Sequence, residues 1–135
     1  MNRPRVVIAD DHPANAALLT ELLQVEFDVV AHVPDGAALV DAVAALSPDV
    51  VVSDISMPGM DGIEAAQVIL QRDPLARIVL VSVHGEPFLV SRGLAAGVMG
   101  YVLKVTAGDE LLPAVRAALQ GKRHLSVALS EPPPG

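Results

Sequence analysis

The stretch "VVSDISMPGMDG", residues 51–62, carries an apolar, β-branched run into a turn and places an acid at the junction. Asp54 ends the run, and Pro58, Gly59 and Gly62 then break regular structure. No lysine or arginine occurs within this stretch. A carboxylate that ends a buried strand is costly unless a counter-charge reaches it. The counter-charge of Asp54 must therefore come from another part of the chain.

Five short apolar runs, this one included, are spaced along the chain. Each is rich in valine or isoleucine, and most are continuously apolar, which is typical of strands buried on both faces of a parallel sheet. The runs lie at residues 5–9, 28–33, 50–53, 78–83 and 100–104. Segments with helical spacing follow them at residues 13–24, 36–46, 62–74, 86–97 and 108–121. This alternation predicts a doubly wound α/β fold with a five-stranded parallel sheet in the order 2-1-3-4-5.

The last helical segment and the end of the chain are less regular. Pro113 lies inside the fifth helical segment and is expected to distort or shorten its first turns. Residues 122–135 have weak periodicity and end in three prolines followed by glycine. We therefore expect one domain over residues 1–121 and a C-terminal linker or tail over residues 122–135, with no second domain.

The composition excludes several classes of protein. Nine basic against sixteen acidic residues give a net charge of -7, which disfavours a nucleic-acid surface on this chain. Cysteine is absent, so disulfides and thiolate metal sites are excluded. No apolar run is long enough for a membrane span, and the start of the chain lacks the apolar region of a signal peptide. We expect a soluble cytoplasmic domain without a membrane partner.

Acids gather where the predicted sheet would bind a ligand. In open parallel sheets, ligands bind beyond the carboxyl ends of the strands at the point where strand order reverses, here between the first and third strands. The first strand ends in Asp10 and Asp11, and the third ends in Asp54. Carboxylates this close repel one another unless a cation joins them. Oxygen-only ligands favour a hard ion, and Mg²⁺ is the expected one.

Each acid also has a simpler explanation. An aspartate of the Asp10–Asp11 pair could cap the helix that starts near Pro13, and Asp54 could cap the helix after Gly62. Either explanation accounts for one acid, but not for two adjacent acids together with a third on another strand.

Two further polar groups end neighbouring strands. Lys104 closes the fifth strand, where its ammonium could hold a phosphoryl oxygen as a point charge, although an ordinary solvated lysine is the alternative. Ser82, near the end of the fourth strand, would add a hydroxyl to the same rim. Carboxylates, a metal ion, a hydroxyl and an ammonium together form a phosphoryl-transfer site with Asp54 as the nucleophile.

Four motifs at these strand ends resemble a known family. "ADDHP" (9–13), "SDISMPGMDG" (53–62), "LVSVHG" (80–85) and "GYVLK" (100–104) are similar, in this order, to the motifs of receiver domains of two-component response regulators. The resemblance covers about residues 4–121, and "DHP" together with the Ser-x-His of residues 82–84 is similar to the NarL/FixJ-like subgroup. It implies the flavodoxin-like, CheY-like (βα)5 fold. Because this subgroup usually continues into a helix-turn-helix domain, the chain would be either a stand-alone receiver or the receiver part of a transcriptional regulator.

The resemblance implies a metal site and a phosphoacceptor. Asp54 would accept a phosphoryl group from a histidine kinase or a phosphotransfer protein. Asp11 and Asp54 would ligate Mg²⁺ directly, the Ser56 carbonyl would be a further ligand, and Asp10 would act mainly through water.

The resemblance also implies a switch. Lys104 would pair with the phosphoryl group, and Ser82 would bond to it and shift towards it. Tyr101, the only tyrosine, would turn inward when Ser82 moves; a half-buried strand aromatic without a switching role is the alternative. The change would alter partner or homodimer contacts on the face formed by the fourth helix, fifth strand and fifth helix.

The leading interpretation is therefore a phosphoacceptor switch and not an enzyme, apart from its own phosphorylation and dephosphorylation. One alternative is an aspartyl-phosphate phosphatase or phosphotransferase, but such enzymes usually carry an acid two residues after the nucleophile, where this chain has Ser56. A second is a binding or dimerisation module that is never phosphorylated. A flavin-binding domain is a fold-level rival, and the scarcity of aromatic residues counts against it.

Overall fold

A computed structural model of the chain describes residues 3–126. Strands and helices alternate along it, as the sequence predicts. The strands are β1 (Arg5–Ala9), β2 (Asp28–Val33), β3 (Val50–Asp54), β4 (Ile78–Ser82), β5 (Gly100–Leu103) and β6 (His124–Leu125). The helices are α1 (Pro13–Gln24), α2 (Gly36–Leu46), α3 (Gly62–Arg72), α4 (Pro87–Ala96) and α5 (Ala107–Leu119), and a 3-10 turn, Lys104–Thr106, precedes α5.

Within residues 3–126 the sheet is parallel and has six strands in the order β2-β1-β3-β4-β5-β6. The predicted order of the first five strands is confirmed, but the prediction of only five strands is wrong. In β6, His124 pairs with Gly100 and Leu125 with Tyr101, at the free edge of β5. Two residues are too few to produce a periodic pattern in the sequence. Strand β6 is formed by main-chain hydrogen bonds to β5, which do not depend on the identity of its side chains.

The predicted tail begins inside this part of the fold. Residues 122–126 lead into β6 and past its end, whereas residues 127–135 lie outside the described residues. The domain boundary at residue 121 stays a prediction.

Alternate residues of the strands build two apolar layers. Val6 and Ile8 of β1 pack with Leu19 of α1 and Leu111 of α5 on one face of the sheet. The next residues along the strands face α2 and α3, and partly buried residues of α4 pack on the same side. Strands covered on both faces explain the continuous apolar runs in the sequence.

Helix α5 is longer at its start than predicted, and it runs unbroken through Pro113 to Leu119. The expectation that Pro113 would shorten it is wrong. Four residues of its inner face are fully buried: Leu111, Ala114, Val115 and Ala118. Burial of this stripe favours a continuous helix by more than the loss of one main-chain hydrogen bond at proline costs.

Among residues 3–126, no helix combines the length and the apolar character that a membrane crossing requires.

Candidate functional site

The carboxyl ends of β1 and β3 lie side by side and bring the predicted acids together. Asp10 follows β1 and is fully buried, and Asp54 ends β3 with 4% of its surface exposed. Asp11 and His12 complete the group. Each of the four residues offers a ligand atom, and these atoms lie within 4.8 Å of one another.

Main-chain N–H groups orient the two buried acids. Asp10 Oδ1 accepts a hydrogen bond from the His12 N–H at 2.8 Å, and Asp54 Oδ1 accepts one from the Ile55 N–H at 2.7 Å. The second oxygen of each carboxylate is thereby directed to another partner. That partner is the Lys104 ammonium, whose Nζ lies 3.1 Å from Asp10 Oδ2 and 3.0 Å from Asp54 Oδ2.

Lys104 supplies the counter-charge for Asp54 that is absent from residues 51–62. Its side chain is 17% exposed and starts from the 3-10 turn that follows β5. Burial acts to lower the pKa of Lys104, but the hydrogen bonds and charges of Asp54 and Asp10 together outweigh it, so the pKa is raised. The ammonium is therefore kept charged between two buried carboxylates, and the alternative of an ordinary solvated lysine does not describe it.

The helix-cap explanations of the acids do not hold. His12 occupies the N-cap position of α1, and among the described residues no side chain accepts a hydrogen bond there as a cap. Helix α3 is capped by Asp61, whose side chain accepts the Glu64 N–H at 2.8 Å while the Glu64 side chain accepts the Asp61 N–H at 3.1 Å. Neither Asp10 nor Asp54 is needed to start a helix.

Ser82 and Tyr101 both hold the main chain of His84. The Ser82 hydroxyl accepts the His84 N–H at 3.0 Å, and the Tyr101 hydroxyl donates to the His84 carbonyl at 2.5 Å. Both side chains are fully buried, and burial is the largest cause that raises the pKa of Tyr101. Tyr101 thus lies inside the protein and not half-buried on the strand. The β4–α4 loop is tied at one residue to β4 and to β5.

An open groove of about 660 Å³ lies beside Asp11, at the carboxyl ends of β1 and β3. It is lined by Asp11, His12 and Ser56 on one side and by His84, Glu86 and Phe88 of the β4–α4 region on another. A second cavity, of about 430 Å³, lies at the opposite end of the sheet beside Asp49 and Arg77. Because that cavity contains none of the predicted site residues, the groove at the carboxyl end is the candidate site.

The sequence that carries this cluster of strand-end residues matches a known protein family. Residues 6–116 match the model of the response regulator receiver domain. The chain belongs to this family. The four motifs at the strand ends therefore come from a true receiver domain, and the family resemblance inferred from them is confirmed.

The relatives of this receiver domain include transcriptional regulators. The chain is 35% identical over 126 residues to the transcriptional regulatory protein DegU of Brevibacillus brevis, covering 92% of this chain and 53% of that one. A two-component response regulator of the LuxR family from Aurantimonas sp. SI85-9A1 superimposes with a TM-score of 0.92 at 32% identity, over 96% of this chain and 94% of that one. The receiver domain of the putative regulator NarL from Mycobacterium tuberculosis gives 0.86 at 34% identity, over 90% and 100%. The NarL-like subgroup is confirmed, and the chain spans about half the length of the curated relative DegU.

The acidic end of the receiver domain has the donor set for a divalent cation. Asp11 Oδ1 is buried and accepts no hydrogen bond from the described part of the chain, although His12 Nδ1 lies 3.0 Å away. Such an oxygen, within reach of two further carboxylates, suits a hard cation such as Mg²⁺. Ser56 is exposed and lines the same groove as Asp11 and His12. The clustered carboxylates and the unpartnered oxygen of Asp11 are a donor set that fits this cation.

A close main-chain contact fixes the position of Asp54 in the receiver domain. A Cβ atom added to Gly62 would lie 2.0 Å from the Asp54 carbonyl oxygen. The Gly62 N–H also donates to the Ile55 carbonyl at 2.8 Å, so the start of α3 packs directly against the end of β3. Glycine at residue 62 is required by this contact.

Two features of the site were missed from the sequence. His12 joins the acids through its ring nitrogen, a contact that its position directly after Asp11 could have indicated. The main chain of His84 is the common partner of Ser82 and Tyr101, and no side-chain pattern announces a main-chain partner.

Proposed function

We propose that this receiver domain is a phosphoacceptor switch with Asp54 as the acceptor. The observation that carries the proposal is the Lys104 ammonium held 3.0 Å from Asp54 Oδ2 and 3.1 Å from Asp10 Oδ2. A carboxylate oxygen of Asp54 attacks the phosphorus of a phosphohistidine on a histidine kinase or phosphotransfer protein. The phosphorus–nitrogen bond breaks, and the imidazole leaves with the electron pair.

Lys104 supports this reaction by charge. Its ammonium is already placed beside the attacking carboxylate, so little reorganisation is needed when charge moves onto the phosphoryl oxygens. Ser82, at the end of the neighbouring strand, would donate its hydroxyl to the new group. The Ser82 oxygen would then change its contact with the His84 N–H, which it accepts at 3.0 Å.

Four residues would hold the metal ion. Asp11 and Asp54 would ligate Mg²⁺ directly with the Ser56 carbonyl, and Asp10 would act mainly through water. When bound, Mg²⁺ would neutralise part of the negative charge of the acids and of the phosphoryl oxygens. Asp10 also keeps Lys104 in place through its Oδ2.

The signal would leave the site through the loop after β4. His84 is bonded through its N–H to Ser82 and through its carbonyl to Tyr101, so movement of Ser82 reaches β5 by way of one residue. The consequence would be altered partner or homodimer contacts on the face of α4, β5 and α5. Phe88, the second residue of α4, is exposed and lines the groove, so it connects this helix with the site.

The place of the domain in a larger system follows from its relatives. Transcriptional regulators such as DegU contain a region like this chain over about half of their length. We propose that residues 1–121 are the receiver part of a cytoplasmic regulator of this kind. It would be no enzyme beyond its own phosphorylation and autodephosphorylation, and the chain itself would bind neither nucleic acid nor membrane.

Mass spectrometry with a small-molecule phosphodonor and Mg²⁺ tests the acceptor. The native chain is expected to gain one phosphoryl mass, Asp54→Asn none, and the control Asp41→Asn the full gain. Asp41 is an exposed acid on α2, so its substitution changes the net charge equally and leaves the site intact. A gain that survives Asp54→Asn would refute the assignment. No gain in the native chain would favour a module that is not phosphorylated.

A further inference from the structure

The segment after β6 reaches back to the residue that precedes Lys104. Ser126 is 1% exposed, and its N–H donates to the Tyr101 carbonyl at 3.0 Å. Its hydroxyl oxygen accepts the Leu103 N–H at 2.8 Å. Both the main chain and the side chain of Ser126 are thus bound to the strand that carries Tyr101 and leads to Lys104.

The Ser126 hydroxyl also approaches the far end of the Lys104 turn. Its oxygen lies 3.5 Å from the Thr106 hydroxyl oxygen. The Thr106 hydroxyl in turn donates a hydrogen bond to the Leu103 carbonyl at 3.3 Å. Leu103 precedes the 3-10 turn Lys104–Thr106, and Thr106 is the last residue of the turn. A single buried hydroxyl therefore contacts both sides of the turn that presents the ammonium to the acids.

We propose that Ser126 is a positioning residue for Lys104, and that β6 with Ser126 is thereby coupled to the phosphoacceptor site. The inference rests on the proposed function of Asp54 and Lys104. Coupling of this kind is reciprocal. Whatever displaces Ser126 shifts Lys104, and a change in the contacts of Lys104 alters the seating of the segment that ends at Ser126.

Removal of the hydroxyl is expected to leave β6 in place. The His124 N–H donates to the Met99 carbonyl at 2.9 Å, and His124 Nε2 lies 3.3 Å from Glu110 Oε1. These contacts, and the bond from the Ser126 N–H, do not depend on the serine side chain. Ser126→Ala therefore tests the hydroxyl itself, and Ser126→Thr restores it.

Selective carbon-13 labelling of lysine at Cε reads the position of Lys104 directly. The chain has two lysines, Lys104 and Lys122, and exposed Lys122 serves as an internal reference. In the full native chain the two signals are expected to be resolved. In Ser126→Ala the Lys104 signal should move towards that of Lys122, and in Ser126→Thr it should keep its native position.

The rate of phosphoryl uptake from a small-molecule donor gives the second measurement. Ser126→Ala is expected to lower the maximal rate roughly tenfold, because small displacements of a positioned group cost rate, while the donor concentration at half-maximal rate changes little. Ser126→Thr should recover most of the rate. The control Val30→Ala trims a partly buried residue on the opposite edge strand β2 and should leave both the rate and the lysine signals unchanged.

The two measurements separate failure of this inference from failure of the proposed function. A folded Ser126→Ala chain with a native Lys104 signal and a native rate would overturn the positioning role. A native chain that takes up no phosphoryl group would contradict the proposed function, and the lysine signals would still decide whether Ser126 positions Lys104.

Discussion

Lys104 determines the electrostatics of the site because it is the cation that both buried carboxylates share. Removal of one member of a buried ion pair costs about 3–5 kcal/mol, and partial exposure of this ammonium reduces the effect. Lys104→Met is therefore expected to lower the free energy of unfolding by about 2–3 kcal/mol and the rate of phosphoryl uptake by about 10². Denaturant unfolding and mass spectrometry measure the two effects.

Lys122→Met provides the matched control. Lys122 is exposed, so the same change in charge and side chain should alter stability by less than about 0.5 kcal/mol. Equal losses in the two variants would show that the contacts of Lys104 with Asp10 and Asp54 contribute nothing to folding.

Tyr101 is expected to titrate at unusually high pH. It is the only tyrosine and the chain has no tryptophan, so the ultraviolet absorbance of tyrosinate reports this one residue. Burial raises the pKa of Tyr101, and the native midpoint should lie above the value of about 10 found in denaturant. Identical midpoints in the folded and denatured chains would contradict the burial of this hydroxyl.

The raised pKa values of Tyr101 and Lys104 have the same consequence for stability. In both cases the folded state holds the proton more tightly than the unfolded state. Their contribution is complete below the ordinary pKa, near pH 10, and is lost as the pH rises through the folded value. Tyr101→Phe should therefore weaken the dependence of stability on pH in this alkaline range.

At the scale of elements, most strands were predictable because burial on both faces makes them continuously apolar, as in β1, β3 and β4. Valine, isoleucine and leucine supply three of the five residues of β1 and of β3 and four of the five of β4, and the strand order followed from the rules of parallel sheets. The missed strand β6 has two residues and is specified by the main chain of β5, which leaves no pattern in sequence. The continuity of α5 through Pro113 depends on packing against the sheet, and local propensity does not contain that information.

The functional groups were predictable to the same extent, because strand ends place them. Asp10, Asp54 and Lys104 each end or follow a strand of the sheet interior at its carboxyl end, so topology brings them to the same edge of the sheet. The role of Ser126 was not predictable. Its position depends on the pairing of β6 and on a side-chain bond to the Leu103 N–H.

The junction of β3 and α3 gives a test at the element scale. Alanine generally stabilises a helix relative to glycine by up to about 1 kcal/mol. At Gly62, the first residue of α3, the added methyl group would meet main-chain atoms, the nearest at 2.0 Å. The clash decides the sign, and Gly62→Ala is expected to destabilise the fold by about 1–3 kcal/mol and to slow phosphoryl uptake, because the clashing atom belongs to Asp54.

Gly108 supplies the control for this substitution. It is the second residue of α5, and a Cβ atom added there meets no atom of residues 3–126 within 4 Å. Gly108→Ala should therefore be neutral or stabilising by up to about 1 kcal/mol. Denaturant unfolding compares the two variants. A stabilising Gly62→Ala would mean that α3 can move away from Asp54 at no cost.

At the scale of the whole molecule, the acids lie at the carboxyl ends of two neighbouring strands of the sheet. Strands β1 and β3 are adjacent, and both apolar layers pack on them. A cation bound between Asp11 and Asp54 would exist only in the folded chain, since unfolding separates residues that are far apart in sequence. Binding to the folded state alone stabilises it by mass action.

Mg²⁺ is therefore expected to raise the Tm of the receiver domain. At a hundredfold excess over Kd, the gain is about 2.7 kcal/mol, or roughly 10 °C for a domain of this size. Because the net charge is -7, any salt relieves some repulsion, and the reference must be NaCl at the same ionic strength. Asp11→Asn should lose most of the specific rise and Asp41→Asn should keep it. Equal rises in these two variants would mean that Mg²⁺ acts on the general charge of the domain and has no site among the acids.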